Sequence, residues 1–266
     1  MLPTIGYTLR EHPRLASVDL MVDAVEIACR PADDPREFAQ AVNTLEIDHV
    51  SLHAALPGGT AEESTPWLLL DALRHVCFES GAMAFSDRWV WNARLDSPAA
   101  FDRVTRRLEK VVQFFSPLGF FLKTTPPPNQ PAGGLPGADQ FARLLERTGC
   151  GWLLDLSHLE AVATRDGFLA GEFLEQVMPC AESVQIHLDG AGATWDLYRH
   201  ALRAGQEKIT AVFLQRTMPV ADDAALPRDL WLARLAAEAA LLERTVGAAV
   251  SASETQSGAS SAGDAS

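Results

Sequence analysis

Eight short apolar runs alternate with longer helix-like stretches, and this alternation constrains the fold more than any other feature of the chain. The runs are Thr4–Thr8, Ala24–Ala28, His49–His53, Met83–Asp87, Gly119–Lys123, Trp152–Leu156, Ser183–Leu188 and Thr210–Leu214. Several are almost continuously apolar, as parallel strands covered on both faces must be. The helix-like stretches are Pro35–Leu45, Thr65–Val76, Ser97–Phe114, Ala138–Arg147, Phe168–Val177, Thr194–Arg203 and Pro227–Val246. Thr65–Val76 follows the start S-T-P-W, which predicts Ser64 or Thr65 as N-cap with Pro66 at the first helical position. Thr148-Gly149 reads as a helix stop.

Strict alternation with eight strands predicts a closed (β/α)8 TIM barrel. An open doubly wound sheet is the competing architecture, but no Gly-rich dinucleotide fingerprint follows the first strand. Gly58-Gly59 alone is too little for a phosphate loop. One barrel domain over residues 1–250 accounts for the length. Residues 251–266 are Ser-, Ala- and Gly-rich with no large apolar side chain, so a disordered tail is expected there.

The chain carries 22 basic and 35 acidic residues, a formal charge of −13. With no compensating basic stripe in view, this argues against a nucleic-acid partner. No run approaches the roughly 18 apolar residues of a membrane span, and no secretory signal is visible at the start. Cys29, Cys77, Cys150 and Cys180 are widely spaced, which points to reduced thiols and a cytoplasmic protein rather than a cysteine metal cluster.

In a barrel, the C-terminal strand ends face the site. Strand two carries Glu26. The next strands end at His53, Asp87-Arg88, Lys123 and Asp155. Strand seven carries His187 followed by Asp189, and strand eight ends at Gln215. Each has an ordinary structural reading too. A strand histidine is more often a hydrogen-bonded core residue than a ligand, and Asp155 is placed to cap the next helix. His158, three residues on, reads either as a loop residue or as its partner. Still, His53, Asp155 and His187 are two histidines and a carboxylate on different strands, a ligand set suited to one divalent metal such as iron. Asp189 is a further carboxylate on the face of His187. Arg88 and Lys123 oppose this, because cations beside a metal weaken its binding.

The segments I-G-Y-T-L-R-E-H, V-D-A-V-E-I, H-V-S-L-H-A, S-D-R-W-V-W, F-F-L-K-T-T-P, G-C-G-W-L-L-D-L-S-H, V-Q-I-H-L-D-G and W-D-L-Y-R-H-A-L run in order along the chain. This ordered set resembles the multinuclear non-heme iron-dependent oxidative enzymes, domain-of-unknown-function family 692. The resemblance implies a xylose-isomerase-like barrel, an iron cofactor and oxidative modification of a ribosomally made precursor peptide. It carries metal-ligand roles onto His53, Asp155 and His187. Where the family has further ligands, this chain has Arg88 for a histidine, Lys123 for a glutamate, Ser157-His158 for an asparagine pair, and Gln215 for a glutamate.

Three functions follow as expectations. One is a divergent peptide-modifying oxidase with a single residual iron. The second is a metal-free barrel that binds a peptide or partner protein without catalysis. The third is Schiff-base chemistry at Lys123, with Arg88, His158 and Gln215 as further catalytic candidates. A sugar isomerase stands behind these, because the paired strand-end glutamates of such metal sites are missing. The geometry that decides is the position of the Lys123 ammonium relative to Asp155 and His187.

Overall fold

The computed structural model describes residues 3–9, 23–45, 47–54, 56, 59, 65–90, 97–125, 137–189 and 192–215. Its strands are β1 (Thr4–Leu9), β2 (Ala24–Ala28), β3 (His49–Ala54), β4 (Ala84–Val90), β5 (Gly119–Thr125), β6 (Gly151–Asp155), β7 (Val184–Leu188) and β8 (Ile209–Leu214). Each pairs in parallel with its sequence neighbour, and β8 returns to β1 to close the barrel. The (β/α)8 expectation holds, and the open-sheet alternative is excluded by that closure. The predicted strands all form, β2 with the expected ends and the others with ends moved by at most three residues.

The outer layer contains α1 (Pro35–Asn43), α2 (Trp67–Glu79), α3 (Pro98–Phe115), α4 (Ala138–Thr148), α5 (Leu156–Asp166), α6 (Ala170–Val177) and α7 (Gly192–Gly205). Local chemistry sets their ends. Asp34 accepts hydrogen bonds from the amides of Arg36 and Glu37, both 3.0 Å, and Pro35 opens α1. Ser97 accepts from Ala100 N–H ahead of α3. Gly149 ends α4 at φ 63°, a left-handed turn that suits a residue without Cβ. The predicted cap of α2 is corrected: Pro66 itself precedes the helix, and the Thr65 hydroxyl instead donates to Gly59 O at 2.7 Å. The expected helix over 227–246 and the tail over 251–266 lie outside the described residues.

Alternation along the strands divides the molecule in two. Val25, Ile27, Leu52, Phe85, Leu122, Trp152, Leu154, Ile186 and Val212 face outward and form one apolar core with the helices. The intervening residues fill the barrel. Its lower part, toward the strand N-termini, is mainly small or apolar: Ala24 with Ala211, and Ala84 with Phe121 and Leu153. Ser51 and Gln185 are also there, with the Ser51 hydroxyl donating to Gln185 Oε1 across the interior at 3.3 Å. Two residues further along β2, β3, β5, β6 and β7 stand Glu26, His53, Lys123, Asp155 and His187, while β4 has Ser86 and β8 has Phe213 at that level.

The four cysteines are free thiols. Burial pushes Cys77 up to about 12 and Cys150 up to about 11, so both remain protonated and unreactive. Among the described residues, no helix is long and apolar enough to cross a membrane.

Candidate functional site

Glu26, Lys123, Asp155 and His187 are inward-facing residues of β2, β5, β6 and β7, and all four are buried. They form a continuous charged chain. The Lys123 ammonium lies 2.7 Å from Asp155 Oδ2 and 3.1 Å from His187 Nδ1. On the far side of the ring, His187 Nε2 lies 2.7 Å from Glu26 Oε2. Thr8 on β1 donates its hydroxyl to the same Glu26 oxygen at 3.2 Å.

Proton bookkeeping follows from these contacts. An ammonium only donates, so the His187 nitrogen facing Lys123 offers a lone pair and the ring hydrogen faces Glu26. One proton therefore serves the Lys123–His187 contact. Burial pulls the imidazole pKa down, but the Glu26 charge overcomes this and raises it on balance. Burial likewise penalises the Glu26 anion. His187, His53 and Lys123 outweigh that penalty and hold the carboxyl at about 2. Asp155 is also held well below the usual carboxylate range. Its burial is overcome by the neighbouring His187 and the Lys123 charge.

Asp155 has a second duty. Its Oδ1 accepts from His158 N–H at 3.1 Å and from the Ser157 hydroxyl at 3.2 Å, capping α5. The helix-cap reading and the functional reading of Asp155 thus describe its two oxygens. α5 was missing from the sequence reading because its apolar residues merge with the β6 run.

His53 ends this ionic layer on the β3 side. Its Nδ1 lies 2.9 Å from the Ser86 hydroxyl. The single hydrogen of Ser86 has only acceptors to choose from, Leu52 O at 3.3 Å and Glu26 Oε1 at 3.5 Å. With that hydrogen on one of these oxygens, Nδ1–H donates to Ser86 and His53 Nε2 carries a lone pair. Burial, with help from the Lys123 charge, lowers its pKa to about 4 despite Glu26.

The other expected site residues lie at the rim or turn elsewhere. Arg88 is exposed at the end of β4, and its charge acts on His53. His158 Nδ1 is 3.4 Å from Asp155 Oδ2, and burial depresses its pKa. Asp189 does not join His187. Its Oδ1 accepts from the Thr194 hydroxyl at 2.8 Å, at the start of α7. Gln215 is half-buried just past β8, where its amide donates to Leu188 O at 2.7 Å. Glu26 was noted on its strand but left out of the expected ligand set, although its position inside an apolar run was a usable signal. Ser86 and Thr8 gave none, being common strand residues.

The residues do not fit a metal ion. Both His187 nitrogens face other side chains, and Lys123 stands between His187 and Asp155, where a cation would bind. Among the described residues no cluster of three or more His, Cys, Asp or Glu is arranged to hold one.

No protein-family model matches the chain, and no curated protein matches its sequence. Solved structures do. An L-ribulose 3-epimerase superposes with a TM-score of 0.68 at 16% identity, covering 96% of this chain and 98% of that one. A xylose isomerase domain protein from Alicyclobacillus acidocaldarius gives 0.55 at 15% identity, with 92% and 99% covered. An AP endonuclease of family 2 from Brucella melitensis gives 0.58 at 16% identity, with 80% and 92% covered. These findings overturn the resemblance to the family-692 iron oxidases: the structural neighbours are sugar epimerases and endonuclease-type barrels. What the chain shares with them is the xylose-isomerase-like TIM-barrel fold.

Proposed function

We propose that the chain acts, without a metal ion, on a small sugar-like carbonyl compound at the barrel mouth, moving a proton on the carbon beside the carbonyl. The observation that carries this reading is the Lys123 ammonium. It is a fixed buried cation at the strand ends, with two of its three hydrogens committed to Asp155 and His187. The third is left to polarise a carbonyl oxygen and to stabilise the enolate that forms when the neighbouring C–H breaks. His53 Nε2, a lone pair at the rim of the same layer, accepts the released proton. Return of a proton, to the same carbon or its neighbour, completes an epimerisation or an isomerisation. The activities that name two of the structural neighbours, L-ribulose 3-epimerase and D-allulose 3-epimerase, lie in this reaction class.

The test is deuterium wash-in. Ketoses, aldoses and their phosphates are incubated with the protein in heavy water containing EDTA and followed by proton NMR. Exchange beside the carbonyl, lost in Lys123→Met and in His53→Gln, is the expected result. No exchange with any sugar, or exchange only on adding a divalent metal, sinks the reading. The closed pairing of the buried charges also favours a second reading, a barrel that binds a sugar without turning it over. In that case sugar binding persists with no wash-in.

A further inference from the structure

A second site lies on the outer face of the barrel, away from the ionic layer. The segment R-V-T-R-R-L-E-K of α3 places Arg103, Arg106, Arg107 and Lys110 at spacings of three, four and seven, hence on one helix face. Together with Trp67, the first residue of α2, they line a cavity of about 350 Å³. Four like charges on one face repel one another, and each close pair costs a helix about 0.2–0.5 kcal/mol. Arg103, Arg106 and Lys110 are exposed. Among the described residues no carboxylate forms an ion pair with any of the three. Asp102, the acid nearest in sequence, is instead bonded to Arg147 at 2.8 Å. Glu109 is the other carboxylate of α3.

The site is built rather than merely charged. Arg107 is only 8% exposed. Its guanidinium donates to Thr65 O at 2.8 Å and lies 4.0 Å from the centre of the Trp67 ring. Phe114 meets Trp67 edge-on at 5.4 Å. The indole is thus braced by an arginine and a phenyl ring while remaining 40% exposed beside the cations. A flat aromatic surface next to convergent guanidiniums matches a ligand with a planar ring and phosphate groups. The chain's overall −13 does not cancel this attraction, because at physiological salt a charge farther than about 8 Å is largely screened.

We infer that this α2–α3 cavity is a nucleotide-type site, with phosphates on Arg103, Arg106 and Lys110 and the base against Trp67. It is independent of the reaction proposed at the barrel mouth. The test uses the full chain with ATP, tripolyphosphate and adenosine as probes, read by tryptophan fluorescence and calorimetry at low salt. ATP is expected to bind with a Kd below about 1 mM, more tightly than tripolyphosphate or adenosine. The Arg103→Gln/Arg106→Gln/Lys110→Gln triple variant is expected to weaken ATP by about tenfold or more, and Trp67→Leu to remove its advantage over tripolyphosphate. Urea unfolding confirms that the variants remain folded. Absence of ATP binding, ATP affinity unchanged in the triple variant, or equal affinity for ATP and tripolyphosphate in the unmodified protein overturns the assignment.

Discussion

Lys123 and Asp155 form a buried ion pair, 2.7 Å from ammonium to carboxylate, joining β5 to β6 inside the barrel. Removing one partner leaves the other as an uncompensated buried charge. Lys123→Met is therefore expected to destabilise the fold by about 3–5 kcal/mol. Lys123→Met combined with Asp155→Asn restores part of that loss, because the orphaned charge is gone while the α5 cap keeps an acceptor. Urea denaturation of the two variants measures both values. Equal stability of Lys123→Met and the unmodified chain would show that the pair is solvated rather than buried.

Acid should unfold the protein through the same layer. The Glu26 carboxyl drops from an ordinary 4.5 to about 2 on folding, so its stabilisation is present above pH 4.5 and disappears as pH falls toward 2. His53 drops from 6.5 to about 4, so below pH 6.5 the unfolded chain takes up a proton that the folded one refuses. Both terms act in one direction and each is on the order of 3 kcal/mol. Unfolding free energy is expected to decline from pH 6.5 to 4 and more steeply below that. A flat profile over this range contradicts the assignment.

The two central histidines are expected to titrate on opposite sides of 6.5. His53 is depressed mainly by burial, whereas His187 is raised because Glu26 outweighs its burial. The His187 contribution thus has the opposite sign, lost as pH rises past its folded pKa. Ring-proton NMR resolves the pair. Glu26→Gln should bring both titrations down, His187 the further, because Glu26 raises both and is also in direct contact with His187.

Two glycines should differ in their tolerance of a methyl group. A Cβ on Gly6 of β1 would lie 2.3 Å from Ala24 O, a main-chain atom of the paired strand. A Cβ on Gly151 of β6 would meet the Phe121 ring at 2.5 Å, a side chain with some freedom to turn. Gly6→Ala is expected to cost more than the roughly 1–3 kcal/mol usual for overpacking, and Gly151→Ala to fall within that range. Thermal melts of the two proteins give the comparison.

Chelation should leave the folded protein unchanged. With Lys123 in the cation position, EDTA dialysis followed by addition of iron, manganese or zinc is expected to move Tm by no more than a degree or so, because no ligand binds the native state selectively. A rise with one metal at micromolar concentration would reinstate the ligand set His53, Asp155 and His187.

The barrel could be read from the chain because every strand is an apolar run bounded by polar or turn residues, and periodicity survives small errors at strand ends. The residues at those ends could be read for the same reason: Lys123, Asp155 and His187 each interrupt an apolar run. Their pairing could not, since the Lys123–His187 contact spans 64 positions in sequence. Asp189 shows the limit from the other side. Alternation puts it on the face of His187, but the strand has ended there and the chain turns toward Thr194. Glu26 was passed over because two histidines and an aspartate already made a familiar ligand set. The ordered family-like segments misled in a similar way. They sit on and beside the strands of the barrel, and a shared barrel order is enough to bring such segments into sequence without a shared chemistry.

The packing of Ala24, Ala84, Phe121, Leu153 and Ala211 beneath the ionic layer, with the hydrogen-bonded Ser51 and Gln185 among them, gives the barrel a filled floor. Among the described residues, His53, Arg88 and His158 are partly or fully exposed neighbours of the ion chain on the side away from that floor, so protons reach it most directly there.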